Sequence, residues 1–391
     1  MKEKFLRELA DIQTGPFGSQ LHKEDYVADG TPIVTVEHLG NKMFSEQNLP
    51  RVSNTDKNRL KKYVLKQGDI VFSRVGSVDR CSYVDQKHDG WMFSGRCLRV
   101  RPTSEIDSEY LYYYFCLEET KQFVRNIAVG ATMPSINTKL LGEVVVTFPE
   151  LEQQKRISGI LSAIDSKIEV NQKINDNLYA QVKAIFSKNF LDLDFLPDGW
   201  KTGNLLDIAD YLNGLAMQKY RPKDGETGLP VLKIKELRQG ICDASSELCS
   251  PSIKSEYIIH DGDIIFSWSG SLLVDIWCGG NCGLNQHLFK VTSNNYDKWF
   301  YYLWTAHHLD RFIAVAADKA TTMGHIKREE LEKVEVIIPS KCDYKRIGAL
   351  IKPLFDLIIS NRIENRKLTA LRNTLLPKIM AGEIDVSDIQ L

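Results

Sequence analysis

The stretch ELEQQKRISGILSAIDSKIEVNQKINDNLYAQVKAIF, residues 150–186, decides the fold. Ile157, Ile164, Asn171, Leu178 and Ile185 recur every seven residues, with Leu161, Ile168, Asn175 and Val182 four residues after the first four. That spacing is the a/d seam of a helix that packs lengthwise on a partner helix. The partner lies in the same chain. An offset of 190 residues gives Ile347, Leu354, Asn361, Leu368 and Leu375, and then Ile351, Ile358, Asn365 and Arg372. The two polar layers recur as Asn171/Asn361 and Asn175/Asn365. At about 1.5 Å per residue, a helix of roughly 36 residues is about 55 Å long. The expectation is two such helices packed antiparallel. Buried Asn layers cost stability but disfavour slipped registers; the alternative is that these Asn side chains are solvated. Pro353, where the first copy has Ala163, is expected to kink the second helix, and Pro377 to stop or kink it.

The rest of the chain repeats with the helix. TPIVTVEHL (31–39), which reads as a strand, matches LPVLKIKEL (229–237), and YVLKQGDIVFSRVGS (63–77) matches YIIHDGDIIFSWSGS (257–271). The helical EYLYYYFC (109–116) matches KWFYYLWT (298–305), and ATMPSINTKLLGEVVVTFP (131–149), ending in a strand at 140–149, matches ATTMGHIKREELEKVEVIIP (320–339). The offset falls from 198 to 194 and settles at 190 through the helix, so length differences sit in the strand-rich part. A period this long is a duplicated domain, not a solenoid. NFLDLDFLPDGWKTGNLLDIADYLNG (189–214) contains the linker, marked by Pro197, Gly199 and Asp residues. The repeated aromatic runs, Tyr110 to Tyr114 and Trp299 to Trp304, read as core.

Length favours two or three domains. With 43% apolar and 26% charged residues the composition is that of a soluble globular protein. No signal peptide or membrane-length apolar run is visible, and the eight cysteines lack a framework spacing, so reduced thiols in the cytoplasm are expected. A formal net charge of −1 argues against a free-standing, nonspecific nucleic-acid binder, though not against a DNA reader inside a larger complex.

Catalytic motifs are absent from the sequence: no Gly-Lys dipeptide for a phosphate loop, no G-x-G-x-x-G, H-E-x-x-H or G-x-S-x-G, and no Pro-Pro for an amino-methyltransferase loop. Cys242, Cys249, Cys278 and Cys282 with His287 have imperfect zinc spacing and no counterpart in the first half, so structural cysteines are expected and no metal. The binding candidates are polar and basic loop residues. In the first half these are Thr14, Ser19, Lys23, His38, Lys42, Ser73, Arg74, Ser77, Arg80 and Arg96. In the second they are Asn213, Lys219, Arg221, Lys233, Lys235, Ser269, Ser271, Asn285, Gln286, His287 and Lys319. Arg, Lys, Asn and Gln can fork onto base edges, and Ser and Thr reach phosphates; any one of them can equally be a solvated surface residue.

The chain resembles the DNA-specificity subunit of type I restriction-modification systems. The resemblance rests on LADIQTGPFGS (9–19), the GDIVFSR/GDIIFSW pair, EQQKRISGILSAIDSKIEVNQKIN (152–175), LPDGWKTGNLLDIAD (196–210) and LRNTLLPKIMAGEI (371–384), in that order and partly duplicated. It implies an α+β chain of two similar strand-rich target recognition domains joined by two long antiparallel coiled-coil helices about a pseudo-two-fold. The expected boundaries are 1–148, the helix 149–188, 189–338, and the second helix and tail 339–391. It also implies that each domain reads one half of a bipartite, asymmetric double-stranded DNA target and that the helices set the spacer. The subunit is then not catalytic. It docks two methyltransferase subunits and recruits restriction/translocase subunits; these partners, not this chain, use S-adenosylmethionine, ATP and Mg. CDYKRI (342–347) departs from EQQKRI and leaves the packing near Cys342 open. Two other readings are a stand-alone nuclease or methyltransferase with an unrecognised site, and a coiled-coil adaptor with no DNA role.

Overall fold

The computed structural model describes residues 1–18, 20–318 and 326–386, apart from the side chains of Lys23 and Asp318. By its internal contacts the chain divides into two units, Met1–Ser166 with Thr369–Leu391, and Lys167–Leu368.

In the first unit Lys2–Phe5 pairs antiparallel with Val145–Phe148, which ties the start of the strand-rich part to its end. Ala10–Thr14, Cys97–Pro102, Ile70–Ser73 and Cys81–Tyr83 form an antiparallel sheet in that order. A second sheet runs Tyr26–Val27, Arg51–Val52, Thr31–Val34, Met92–Phe93, and its last pair is parallel. The second unit repeats the plan. Lys201–Asn204 pairs with Glu335–Ile338, and Asp210–Asn213, Leu288–Thr292, Asp263–Ser267 and Leu273–Trp277 form the antiparallel sheet. The mixed sheet is Leu248–Cys249, Leu229–Leu232, Cys282–Leu284, Ile258–Ile259.

The repeated Gly-Asp marks a turn whose acid is structural. Gly68 and Gly262 have φ of 89° and 82°, a region that favours glycine. Asp69 accepts from Arg101 Nε and Nη2, both at 2.7 Å, and Asp263 takes Lys290 Nζ at 2.8 Å. Each carboxylate also caps its own turn, from Lys66 N at 2.8 Å and His260 N at 2.9 Å. The aromatic runs are core: Ser108–Cys116 buries Tyr110, Tyr112 and Tyr113, and Lys298–His307 buries Trp299, Tyr301, Tyr302 and Trp304.

Two segments differ from the sequence reading. TPIVTVEHL is strand only over Thr31–Val34, because Thr35 N donates to His38 Nδ1 at 3.0 Å and turns the chain into a short 3-10 helix, Val36–His38. LLGEVVVTFP begins in a helix, Thr138–Gly142, whose N-cap Asn137 accepts Leu140 N at 2.9 Å; the strand is confined to Val145–Phe148.

The long helices are Leu151–Phe186, of 36 residues, and Lys341–Met380, of 40. Pro353 and Pro377 both lie inside the second, so Pro377 does not end it: the helix runs on to Met380. The seam positions named from the sequence are all buried or half-buried. In the first unit Ile157 and Leu161 join a core that includes Leu376 and Ile379, and Arg372 Nη1 donates to Asp165 at 2.5 Å. In the second unit Asn171 Nδ2 donates to Asn365 Oδ1 and Asn361 Nδ2 to Asn175 Oδ1, each at 2.9 Å. Asn365 Nδ2 donates to Ile168 O at 3.1 Å and Asn175 Nδ2 to Ile358 O at 3.4 Å. Each bond has its counterpart 190 residues away, and the pairing of early with late residues makes the helices antiparallel there. Asn171 is 1% exposed and Asn361 8%, so these layers are not solvated.

The departure at CDYKRI keeps the chemistry of its counterpart. Gln154 Oε1 accepts Asp107 N at 2.7 Å, and Tyr344 Oη accepts Asp297 N at 2.7 Å. Cys342 is exposed beside it.

Candidate nucleic-acid interface

In each unit the same four connections meet: those after the first strand of the antiparallel sheet, after Thr31–Val34 or Leu229–Leu232, after Ile70–Ser73 or Asp263–Ser267, and between the parallel-paired strand and the return strand. Two backbone bonds recur in both copies. Gly15 N donates to Cys97 O at 3.2 Å and Gly214 N to Leu288 O at 3.0 Å. Ser94 N donates to Val34 O at 2.9 Å and Asn285 N to Leu232 O at 3.2 Å. A Cβ on Gly15 would stand 2.1 Å from Ser94 O, and one on Gly214 2.2 Å from Asn285 O, so only glycine permits this approach. By these bonds Ser94 corresponds to Asn285 and Arg96 to His287.

The second unit gathers Arg221, Lys233, Lys235, Asn285, Gln286 and His287 around one concavity of about 530 Å³, which Gln218, Ile234 and Glu247 complete. Lys233 Nζ donates to Glu247 at 2.5 Å, and Arg221 Nη1 lies 3.6 Å from the same carboxylate. The bond from Lys233 holds the Glu247 carboxyl below its ordinary range. Lys235 Nζ donates to Ser245 Oγ at 2.8 Å. Ser269 Oγ meets His287 Nδ1 at 3.0 Å, and Gln286 Nε2 lies 3.3 Å from His287 Nε2. Asn213 accepts Trp268 Nε1 at 3.1 Å. Lys219 is exposed, and Ser271 is half-buried with its carbonyl bound to Ser267.

In the first unit Arg74 donates to Gly95 O at 3.1 Å, and its guanidinium lies 5.4 Å from the centre of the Phe17 ring, which is 53% exposed. Arg96 and Ser77 are exposed, and Thr14 is half-buried at the strand end. Arg80 is exposed but ties Nη2 to Leu39 O. A concavity of about 430 Å³ elsewhere in this unit, bordered by Lys66, Asp69, Arg101 and Lys155, includes none of the candidates.

Three candidates do not present themselves to a ligand. His38 is buried, with Nδ1 on Thr35 and Nε2 on Gln47 O at 3.1 Å. Lys42 Nζ is spent on Glu109 at 2.7 Å, Ser162 at 2.8 Å and Tyr113 at 3.2 Å. Ser73 is buried and donates to Val75 O at 2.8 Å. Ser19, Lys319 and the side chain of Lys23 lie outside the described residues. The four cysteines do not form a four-thiol site. Cys242 and Cys282 interact and Cys249 acts on Cys282, but Cys278 packs in a different hydrophobic cluster, and among the described residues no three His, Cys, Asp or Glu side chains are placed to hold a metal ion. Phe17, Gln218, Glu247 and Trp268 belong to the loop cluster and were missed. PFGS after the first strand and the Trp of GDIIFSW were the available signals.

The profile of the type I restriction modification DNA specificity domain matches this chain twice, over residues 1–180 and 197–371. The chain belongs to that specificity family. As a specificity subunit it is similar to the type I restriction enzyme MjaIX specificity subunit of Methanocaldococcus jannaschii, 28% identical over 74% of this chain and 72% of that one. It is also similar to the HindI specificity subunit of Haemophilus influenzae, 20% identical over 83% of this chain and 88% of its relative. The crystal structure of the type I restriction-modification S subunit from M. genitalium shares its fold, with a TM-score of 0.58 at 16% identity, covering 97% of this chain and 95% of that one. Among the described residues no helix of this specificity subunit is long and apolar enough to cross a membrane.

Proposed function

We propose that this specificity subunit is a non-catalytic, cytoplasmic reader of double-stranded DNA in which each strand-rich part reads one half of a bipartite, asymmetric site. The observation that carries the reading is the doubling of one loop cluster, with recurring backbone bonds but different side chains: Arg96 and Arg74 in one copy, His287 and Trp268 in the other. A shared scaffold with divergent loop tips is what two readers of two different sequences need. The helix pair then sets the spacer and docks two methyltransferase subunits, and restriction/translocase subunits complete the complex. S-adenosylmethionine, ATP and Mg serve those partners. The formal charge of −1 supports a reader whose partners neutralise much of the DNA phosphate.

The test is to exchange residues 1–148 for those of a relative, assemble the complex and map methylated sites. Change in one half-site only is the expected result. Change in neither half-site, or methyl transfer by the isolated chain, would contradict the reading.

A further inference from the structure

The second unit fastens its strand-rich part to the C-terminal helix with two arginine forks. Arg362 Nη1 and Nη2 donate to Asp275 Oδ1 and Oδ2, both at 2.8 Å. One turn further on, Arg366 Nη1 and Nη2 donate to Asp261 Oδ1 and Oδ2 at 2.7 and 2.8 Å, and Nη1 also reaches Cys278 O at 2.9 Å. The acids are themselves held in place. Asp275 lies in the strand Leu273–Trp277, and Asp261 Oδ1 also accepts Gly280 N at 2.8 Å. The four side chains are only 25–28% exposed. Burial works against the Arg362 charge, but the bonds to Asp275 and its charge outweigh it and hold the guanidinium above its ordinary range.

The first copy has neither half of this device. The helix positions 190 residues earlier are Gln172 and Asp176, both exposed. The strand ladder, in which Ile70 faces Tyr83 as Ile264 faces Ile276, puts Ser82 at the place of Asp275. The Gly-Asp turn puts Gln67 at the place of Asp261. Ser82 Oγ is spent on Asn41 O at 2.6 Å. At this level the first unit has single bonds and no fork: Lys42 Nζ donates to Glu109 and to Ser162 of the helix, and Tyr113 Oη donates to Asp165 of the helix.

The difference is physical. An ammonium is a point charge that can pivot, whereas a planar guanidinium on two carboxylate oxygens fixes direction as well as distance. Two forks one turn apart resist rotation about either. We propose that Arg362 and Arg366 are positioning residues that lock the angle of the second reader on the helix pair, and so set how strictly the spacer between the half-sites is measured. The proposal rests on the reading that each strand-rich part recognises one half-site.

The test uses the assembled modification complex and a DNA library with both half-sites fixed and the spacer varied one base pair at a time. Arg362→Lys with Arg366→Lys keeps the charges and removes the forks. The expected result is unchanged half-site bases, with methylation at spacers one base pair off rising on the order of tenfold relative to the native spacer. Arg362→Asp alone should also loosen the spacer, and adding Asp275→Arg should restore its strictness in part. An unchanged spacer profile in the active Lys variant overturns the proposal, as does altered base preference with the spacer intact. If the double variant does not assemble, Arg366→Lys alone reads the same quantity and is judged the same way. A wild-type complex that modifies no bipartite site would overturn the functional reading itself, and is recognisable because it fails before any substitution.

Discussion

Arg96 and His287 hold the same place in two copies of one loop, yet they differ in what the fold leaves them to do. His287 is engaged by Ser269 and Gln286, whereas Arg96 is exposed at the tip, with its carbonyl tied to Arg74 N at 2.8 Å. Replacing Arg96 with Ala should therefore relax one base pair of one half-site by about 1–3 kcal/mol and leave the other half-site intact, as read from methylated motifs. Residue type alone could not rank it. His38 and Lys42 are equally polar and equally placed in loops, but their partners are inside the protein, and partners are not written in a sequence. A second residue matters for stability. Burial lowers the His308 pKa to about 4, against the opposing effect of the bond that Nε2 donates to Glu335 O at 2.8 Å. The unfolded chain, at about 6.5, binds the proton more readily, so this stabilisation is complete above about pH 6.5 and is lost as the pH falls towards 4. Allowing for its partial exposure, the loss is about 1–2 kcal/mol. His308→Gln, which can still donate to Glu335 O, should show a smaller drop in melting temperature between pH 7 and pH 4.5; an equal drop would remove His308 from the account.

Among the elements, the long helices were the most legible, because a seven-residue period sustained over four heptads has few other readings. The short strands were harder. Thr31–Val34 stops where a side chain captures the backbone, and a four-residue strand gives alternation little room to show itself. Pro377, expected to stop or kink the second helix, does not stop it: the buried Leu376, Ile379 and Met380 on either side hold the last turn helical against the lost backbone bond and the crowding of the ring. The Asn layers test whether the seam's polar contacts set its register. Asn171→Val leaves Asn365 and Glu364 without the amide that now reaches them at 2.9 and 2.6 Å. The expected cost is about 1–3 kcal/mol by chemical denaturation, whereas changing Asn171, Asn175, Asn361 and Asn365 together to apolar residues should cost less than the sum of four single changes. Additive losses would mean that the four amides do not act as one network.

At the scale of the whole chain, duplication was visible because the offset settles at 190 through the helix and drifts only in the strand-rich parts. The bonds within the Asn layers obey the same offset. Which loops meet was not visible, since Gly15 and Ser94, or Gly214 and Asn285, touch only after both sheets have formed. Nor were the Arg362 and Arg366 forks visible, which have no copy to repeat them. Under the proposed function, the paired helices set the spacer between the two half-sites. Removing one heptad from Leu151–Phe186 and the facing heptad from Lys341–Met380 shortens both by about 10 Å, or about three base pairs of DNA. Sequencing of methylated bases in cells carrying this double deletion is the most direct measurement. The account predicts both half-sites unchanged, with a spacer about three base pairs shorter; an unchanged spacer in an active complex would contradict it.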